Sequence, residues 1–149
     1  MKKYLNINNK KISYEKIGIG NPIIFLHGIT SSSNTWNEID KAVSKIRTVY
    51  KIDFRGHGYS DHSNSYKWSE YSQDINFFIN EIVGSPVDIL GHSLGACVAS
   101  QVAALSQKNI RSIILEDPPF FHHRRAGKEG ISKRFNYNLS LAKSYNSKE

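Results

Sequence analysis

Residues 87–105, VDILGHSLGACVASQVAAL, decide the predicted fold. The apolar run Val87–Leu90 is typical of a strand buried on both faces, and Leu94–Leu105, which is rich in small residues, predicts a helix. Between them, GHSLG at 91–95 has the G-x-S-x-G pattern of a sharp strand-to-helix turn that presents a serine hydroxyl. Side chains two residues either side of the serine would collide in such a turn, so both positions favour glycine.

The same alternation of strand and helix extends outward from this stretch. Further buried strands are predicted at Ile23–Leu26, Thr48–Ile52 and Ile110–Leu115. Two apolar helical faces separate the earlier strands: Trp36, Ile39, Val43 and Ile46, then Tyr71, Ile75, Phe78, Ile79 and Ile82. Tyr4–Ile7 and Lys11–Lys16 predict a β-hairpin. We therefore expect an α/β fold, a three-layer α/β/α sandwich with a mostly parallel sheet and an N-terminal β-hairpin.

In such a sheet, chemistry belongs at the carboxyl ends of the strands. A serine that attacks a carbonyl creates an oxyanion, which needs donors that are already in place. The turn supplies the N–H of Leu94, and the loop His27-Gly28-Ile29, directly after a predicted strand, supplies the N–H of Ile29. Alone, a His-Gly pair favours a structural turn, but beside the serine turn it favours a role in the site.

A third segment, DFRGHGYS at 53–60, follows the strand Thr48–Ile52. Its two glycines and its charged pair predict a tight, hydrogen-bonded turn. The alternative, a metal site formed by Asp53, His57 and His62, is disfavoured because the loop has no recognised ligand spacing.

In this order, the three segments resemble the α/β-hydrolase fold superfamily, over a stretch from about Lys3 to Phe120. The resemblance implies that Ser93 is the nucleophile and that Ile29 and Leu94 are backbone oxyanion donors. It further implies a small-molecule substrate with an ester-like bond (carboxylic ester, lactone or thioester), in the serine-nucleophile esterase and lactonase branch, with no cofactor and no metal. Residues 1–120 are then the N-terminal part of the core domain, and residues 121–149 the start of a cap region or a disordered tail.

The chain departs from the family pattern after the serine. The family triad runs Ser, then Asp or Glu, then His, yet the only later histidines are His122 and His123. Asp117 is a weak candidate for the acid, and a turn-forming aspartate before two prolines is the favoured alternative. Six strands are predicted where the family has eight, so we expect an incomplete, C-terminally truncated fold of low activity. Two alternatives remain: a non-catalytic remnant or binding module, and a miniature hydrolase that uses one of these histidines.

Charge and composition narrow the remaining function classes. The net charge of +7 arises at the two ends of the chain, because residues 17–120 carry eight basic and ten acidic side chains. With no recognisable nucleic-acid module, we expect no nucleic-acid partner. The absence of a long apolar stretch, of a signal peptide and of a cysteine pair predicts a cytoplasmic protein without a membrane partner. The apolar strand Ile110–Leu115 would lie at the sheet edge, which predicts dimerisation or aggregation through that edge.

Overall fold

The computed structural model describes residues 1–120, and Met1–Pro118 form one compact unit. Its strands are β1 (Lys2–Ile7), β2 (Lys10–Ile17), β3 (Pro22–Leu26), β4 (Thr48–Ile52), β5 (Val87–His92) and β6 (Ile110–Glu116). They form one sheet in the order β1-β2-β4-β3-β5-β6. The strands β4, β3, β5 and β6 are parallel, and the hairpin β1-β2 joins them antiparallel. The mostly parallel sheet with its N-terminal hairpin is confirmed. The predicted cap or tail at 121–149 lies outside the described residues.

One face of the sheet carries the larger hydrophobic core, beneath the helices α2 (Trp68–Phe78) and α3 (Leu94–Leu105). The predicted stripe of the second helix is buried there at Tyr71, Ile75 and Phe78. The helix then continues as a π-turn, Ile79–Val83, and ends at a glycine in the left-handed conformation. The third helix has the predicted bounds, and it packs against β5 and β6.

The opposite face is covered by shorter elements, a 3₁₀ turn at Ser33–Trp36 and the five-residue helix α1 (Ile39–Val43). Trp36 is buried and packs against Phe25, with their ring centroids 5.2 Å apart. The prediction of one continuous helical face from 36 to 46 is wrong, because Ile39 and Ile46 are exposed. Helices therefore cover both faces, as a three-layer sandwich requires.

A buried ion cluster replaces apolar packing beside α1. Lys51, on β4, is buried and its ammonium group lies 2.5 Å from the Asp40 carboxylate and 3.3 Å from that of Glu15. Asn37 accepts a further hydrogen bond from it at 2.8 Å. The α1 helix thus presents an acidic side chain to the sheet where its apolar period predicted a hydrophobic one.

The chain order of the parallel strands defines where a crevice opens. From the central strand β3 the chain crosses to β4 on one side, and later enters β5 on the other side. The connections that leave the carboxyl ends of β3 and β5 consequently run in opposite directions along the sheet. In open α/β sheets such a switch point is where ligands bind. Both His27-Gly28 and Ser93 lie at this position.

The last described strand, β6, lies at the edge of the sheet that residues 1–120 form. Ile113 and Ile114 on this strand are 36% and 52% exposed. At its amino end Arg111 makes a bidentate pair with Asp88, which Arg47 also contacts. None of the helices described between residues 1 and 120 is long and apolar enough to cross a membrane.

Candidate active site at the strand switch point

Ser93 occupies a sharp turn between β5 and α3. Its backbone has φ 53° and ψ −111°, a conformation that costs a non-glycine residue about 1–3 kcal/mol. The Ser93 carbonyl oxygen accepts the N–H groups of Ala96 and Cys97, which begins the helix. The Ser93 N–H donates to the Glu116 carbonyl oxygen at 2.9 Å, so β6 also holds the turn. The serine side chain is half-buried at the carboxyl end of the sheet.

The two glycines of the motif are required by close approaches of the backbone. A Cβ atom on Gly91 would lie 2.3 Å from the Gly95 carbonyl oxygen, and a Cβ on Gly95 would lie 2.1 Å from that of Leu26. Neither contact can be relieved by a side-chain rotation, since both involve backbone atoms. The first turn of α3 is thereby held against the end of β3, as the collision argument from sequence predicts.

The loop after β3 passes directly beside this turn. A Cβ atom on Gly28 would lie 2.9 Å from the His92 Nδ1 atom and 3.4 Å from the Ser93 Cβ atom. The next residues form a turn closed by the Ser31 N–H, which donates to the Gly28 carbonyl oxygen at 3.3 Å. Thr30 within it has φ 61°, a genuine outlier for a β-branched residue. Two residues with positive φ angles, Thr30 and Ser93, therefore lie in the two loops that meet at the carboxyl end of β3 and β5.

The two backbone N–H groups that the sequence predicts as oxyanion donors have no acceptor among the described residues. Leu94 is the first residue of α3, so its N–H has no partner within the helix. Neither Ile29 nor Leu94 donates its N–H to another residue within 1–120. A helix N-terminus also carries a positive dipole end, which favours negative charge. The crevice thus has backbone amides available to an anionic ligand.

His27 is fully buried beneath the crevice, and its ring hydrogen bonds fix its proton. The Phe54 N–H donates to its Nε2 atom at 3.1 Å, so Nε2 is the unprotonated nitrogen. The proton therefore lies on Nδ1, which donates to the Gly28 carbonyl oxygen at 2.8 Å. Burial lowers the pKa of His27 to about 4, which keeps the ring neutral.

The sequence did not indicate the hydrogen bonds of the His27 side chain, since it predicted only the nearby Ile29 N–H as part of the site. A signal was present: β3 and β4 are adjacent parallel strands with Leu26 opposite Ile52. The residues that follow them, His27 and Asp53, are thus brought side by side. Sequence spacing identifies both segments but not which ring nitrogen meets which backbone group.

The Asp53–Ser60 segment forms the tight turn that was predicted. The Asp53 carboxylate accepts the N–H groups of Ser33 at 2.7 Å and Tyr59 at 3.1 Å. Burial alone would raise the pKa of this carboxyl group, but these two donors, together with the Ser33 side chain and the charge of Lys2, hold the pKa below its ordinary value. Arg55 makes a bidentate pair with the buried Asp74.

The alternative metal site is not formed by these side chains. His57 directs Nδ1 to the Arg55 carbonyl oxygen at 3.0 Å, and the His62 ring contacts the Tyr66 hydroxyl. No group of three or more metal-ligating side chains occurs within the part of the chain that the structure describes.

The remaining candidates lie as follows. Asp117 is exposed directly after β6, with φ 45°, at a bend. Cys97 is buried one turn into α3, and burial raises the pKa of its thiol. His122 and His123 lie outside the described residues.

Comparison with known proteins agrees with the architecture. Residues 21–140 match the family described as the alpha/beta hydrolase fold. The chain is 29% identical over 110 residues to a putative esterase/lipase of Haemophilus influenzae, covering 73% of this chain and 38% of that protein. It is 31% identical over 114 residues to the 2-(acetamidomethylene)succinate hydrolase of Mesorhizobium japonicum, covering 76% and 41%.

Among solved structures, an esterase from Exiguobacterium antarcticum superimposes with a TM-score of 0.76 at 26% identity, over 80% of this chain and 46% of that one. The chain thus spans between 38% and 46% of the length of these three relatives. The strand order, the strained serine turn and the match over residues 21–140 lead to one conclusion: this chain belongs to the α/β-hydrolase fold family.

Proposed function

We propose that this chain carries the nucleophilic half of a serine hydrolase that cleaves ester-like bonds of small molecules. The observation that supports it most is the strained turn at Ser93, which lies at the strand switch point beside two backbone N–H groups that have no acceptor within residues 1–120. Strain persists in a fold where the surrounding structure enforces it, and it is concentrated at functional sites.

The proposed chemistry is acyl transfer in two steps. The Ser93 Oγ atom attacks the carbonyl carbon of the substrate, and its proton passes to a general base. The carbonyl oxygen becomes an oxyanion, which accepts hydrogen bonds from the N–H groups of Ile29 and Leu94. The alcohol leaves with a proton, and water then hydrolyses the acyl-serine. Side chains, backbone donors and water suffice, so the proposal includes no cofactor.

The proposal assigns no general base among residues 1–120. Both ring nitrogens of His27 are occupied by backbone groups, and His57 is held by a backbone carbonyl. His92 precedes the nucleophile and packs at the turn. The base then comes from residues after 120, with His122 and His123 as the candidates in this chain, or from a further polypeptide. Loss of a triad base lowers kcat by about 10⁶, so we expect very slow turnover wherever no base from beyond residue 120 lies beside Ser93.

A reagent that forms a single covalent bond tests the nucleophile separately from turnover, with imidazole in the buffer as the base that residues 1–120 do not supply. We expect a fluorophosphonate at pH 8.5 to label Ser93 over hours, detected by intact mass and peptide mapping. The Oγ–P bond forms, the P–F bond breaks, fluoride leaves and the hydroxyl proton passes to buffer. Ser93→Ala should abolish labelling, whereas Cys97→Ala, the matched change one turn along the same helix, should leave it unchanged.

The outcomes separate the proposed function from its alternatives. A folded chain without a label at Ser93 contradicts the nucleophile and favours the non-catalytic binding module. Measurable turnover of p-nitrophenyl acetate that is lost in Ser93→Ala and in His122→Ala or His123→Ala supports the miniature enzyme instead. Labelling without turnover is the expected result. The cytoplasmic location and the substrate class remain predictions.

A further inference from the structure

The His27 ring connects two loops at the site, and the proposed chemistry does not use it. Its Nδ1–H donates to the Gly28 carbonyl oxygen and its Nε2 accepts the Phe54 N–H, so it lies between the loop after β3 and the loop after β4. Its side chain is fully buried and has no route to the substrate as an acid or base. Its place beside the crevice therefore requires another explanation.

The direction of one peptide group supplies that explanation. In a trans peptide the carbonyl and the following N–H point in opposite directions, so the Gly28 carbonyl and the Ile29 N–H are coupled. The carbonyl is drawn toward the buried ring by the His27 Nδ1–H and is also bonded to the Ser31 N–H. The Ile29 N–H consequently points away from the core, at the place where Gly28 adjoins Ser93.

The two residues that follow β4 hold this loop at both of its ends. Phe54 donates its N–H to the His27 ring at the start of the loop. The Asp53 carboxylate accepts the Ser33 N–H at the other end, at 2.7 Å. A loop fixed at both ends by short, buried hydrogen bonds retains the strained turn at Thr30 that lies between them.

We infer that His27 is a positioning residue: its Nδ1–H tautomer, fixed by the Phe54 N–H, orients the Gly28–Ile29 peptide so that the Ile29 N–H faces the oxyanion that forms at Ser93. This inference rests on the proposed function. It also gives the Asp53–Ser60 segment a role, since that segment sets the tautomer and secures the far end of the loop. Low solvent access keeps the ring neutral, which preserves the Nε2 lone pair that the Phe54 N–H requires.

Two substitutions at His27 distinguish the contribution of the Nδ1–H donor from that of the Nε2 acceptor. His27→Asn keeps an N–H near the position of Nδ1, whereas His27→Gln places a carbonyl oxygen near the position of Nε2 and removes the donor to Gly28. Loss of one oxyanion donor lowers rates by about 10²–10³. We expect fluorophosphonate labelling of Ser93 to be at least about tenfold slower in His27→Gln, and His27→Asn to retain most of the native rate. His62→Gln, at an exposed ring outside the Asp53–Ser60 segment that contacts the Tyr66 hydroxyl, is the control and should label at the native rate.

A purely structural role predicts a different pattern, in which labelling follows stability in all three variants. Equal labelling rates in folded His27→Gln and in the native chain overturn the inference. A measurement that needs no reaction accompanies the labelling: ¹⁵N-detected imidazole spectra at pH 7 should show His27 protonated on Nδ1. A proton on Nε2 also overturns the inference, whereas absence of labelling in the native chain contradicts the proposed function alone.

Discussion

The two ends of the parallel strands are held by different interactions. At the amino end, charges pair with charges: the Asp88 carboxylate binds the guanidinium groups of Arg47 and Arg111 and the Ser112 hydroxyl. The hydrogen bond from Arg111 is the main cause that holds the pKa of Asp88 well below its ordinary value. The positive φ angles at this end, at Gly18, Gly20 and Gly84, belong to glycines, which adopt them without strain.

At the carboxyl end, the buried Arg55–Asp74 ion pair lies among polar groups that are neutral or bound to backbone, and residues with strained backbone occur. His27 is buried without charge, Thr30 and Ser93 have positive φ angles, and the N–H groups of Ile29 and Leu94 have no acceptor within residues 1–120. The contrast suggests a division of roles: the charge pairs at the amino end stabilise the sheet, while the N–H groups without acceptors at the carboxyl end can bind a ligand. Substitutions at the two ends should therefore differ in what they change, the labelling of Ser93 or the stability of the sheet.

The largest effect is expected from Gly95→Ala at the carboxyl end. The new Cβ would lie 2.1 Å from the Leu26 carbonyl oxygen, so the helix or the strand has to move. We expect the free energy of unfolding to fall by about 3 kcal/mol or more, measured by urea denaturation. Gly84→Ala is the matched control, because its Cβ meets nothing within 4 Å and only the φ of +66° opposes it. That variant should lose about 1 kcal/mol, and equal losses would show that the close approach is relieved at little cost.

The second effect is a loss of stability in mild acid caused by His27. The folded pKa is about 4 and the ordinary value is 6.5, so between these pH values the unfolded chain binds more protons. Stability should therefore be full above pH 6.5 and decline as the pH falls toward 4, by up to about 3 kcal/mol from this residue. Burial also lowers the pKa of His57, which adds in the same direction.

Comparison with His27→Asn isolates the contribution of His27 to that decline. The free energy of unfolding of both chains would be measured in urea at pH 7, 5.5 and 4.5. The variant should be less stable at neutral pH and should have the shallower pH dependence. Parallel curves for the two chains would place the acid sensitivity elsewhere.

The third effect tests the amino end. Asp88→Asn retains the shape of the side chain but removes the charge that both arginines share. Because Asp88 is 11% exposed and its partners more so, we expect a loss of about 2 kcal/mol. Glu38→Gln removes the exposed pair with Lys41 and should cost less than about 0.5 kcal/mol.

The same variant also tests whether the two ends act separately. The labelling rate of Ser93 in Asp88→Asn should equal that of the native chain while the protein remains folded. A slower rate would show that the charge pairs at the amino end support the site and do not only stabilise the sheet.

Sequence patterns predicted the parts of this molecule that depend on local periodicity. The third helix, Leu94–Leu105, begins and ends where it was expected, and the strand-to-helix turn around Ser93 has the strained backbone that the motif requires. The resemblance to the α/β-hydrolase superfamily is confirmed by the family match over residues 21–140. The roles assigned to Ser93, Ile29 and Leu94 stay predictions.

What the sequence could not supply are pairings between distant elements. Lys51 lies within an apolar strand pattern, and its partners Glu15 and Asp40 come from β2 and α1. Burial of Asp40 toward that lysine turns Ile39 to solvent, which is why the apolar period of this segment misled the prediction. The tautomer of His27 could not be predicted for the same reason, since it depends on the N–H of a residue in the loop after a neighbouring strand.

The smallest effect on folding is expected on β6, the strand that joins the two ends. At one end of this strand Arg111 pairs with Asp88, and at the other the Glu116 carbonyl accepts the Ser93 N–H. Its residues Ile113 and Ile114 are exposed on opposite faces of the sheet, and an apolar edge strand is a template for pairing with another chain. We therefore expect the native chain to associate as its concentration rises, measured by sedimentation velocity.

Ile114→Lys should weaken this association while it changes the free energy of unfolding by less than about 0.5 kcal/mol. Ile19→Lys makes the same chemical change at a residue that is 88% exposed in the turn between β2 and β3, and it should leave the association unchanged. If both variants reduce association equally, net charge is responsible and the edge is not. If the native chain stays monomeric at high concentration, the expectation of an adhesive edge is wrong, and β6 serves only to connect the charge pairs at one end with the strained turn at the other.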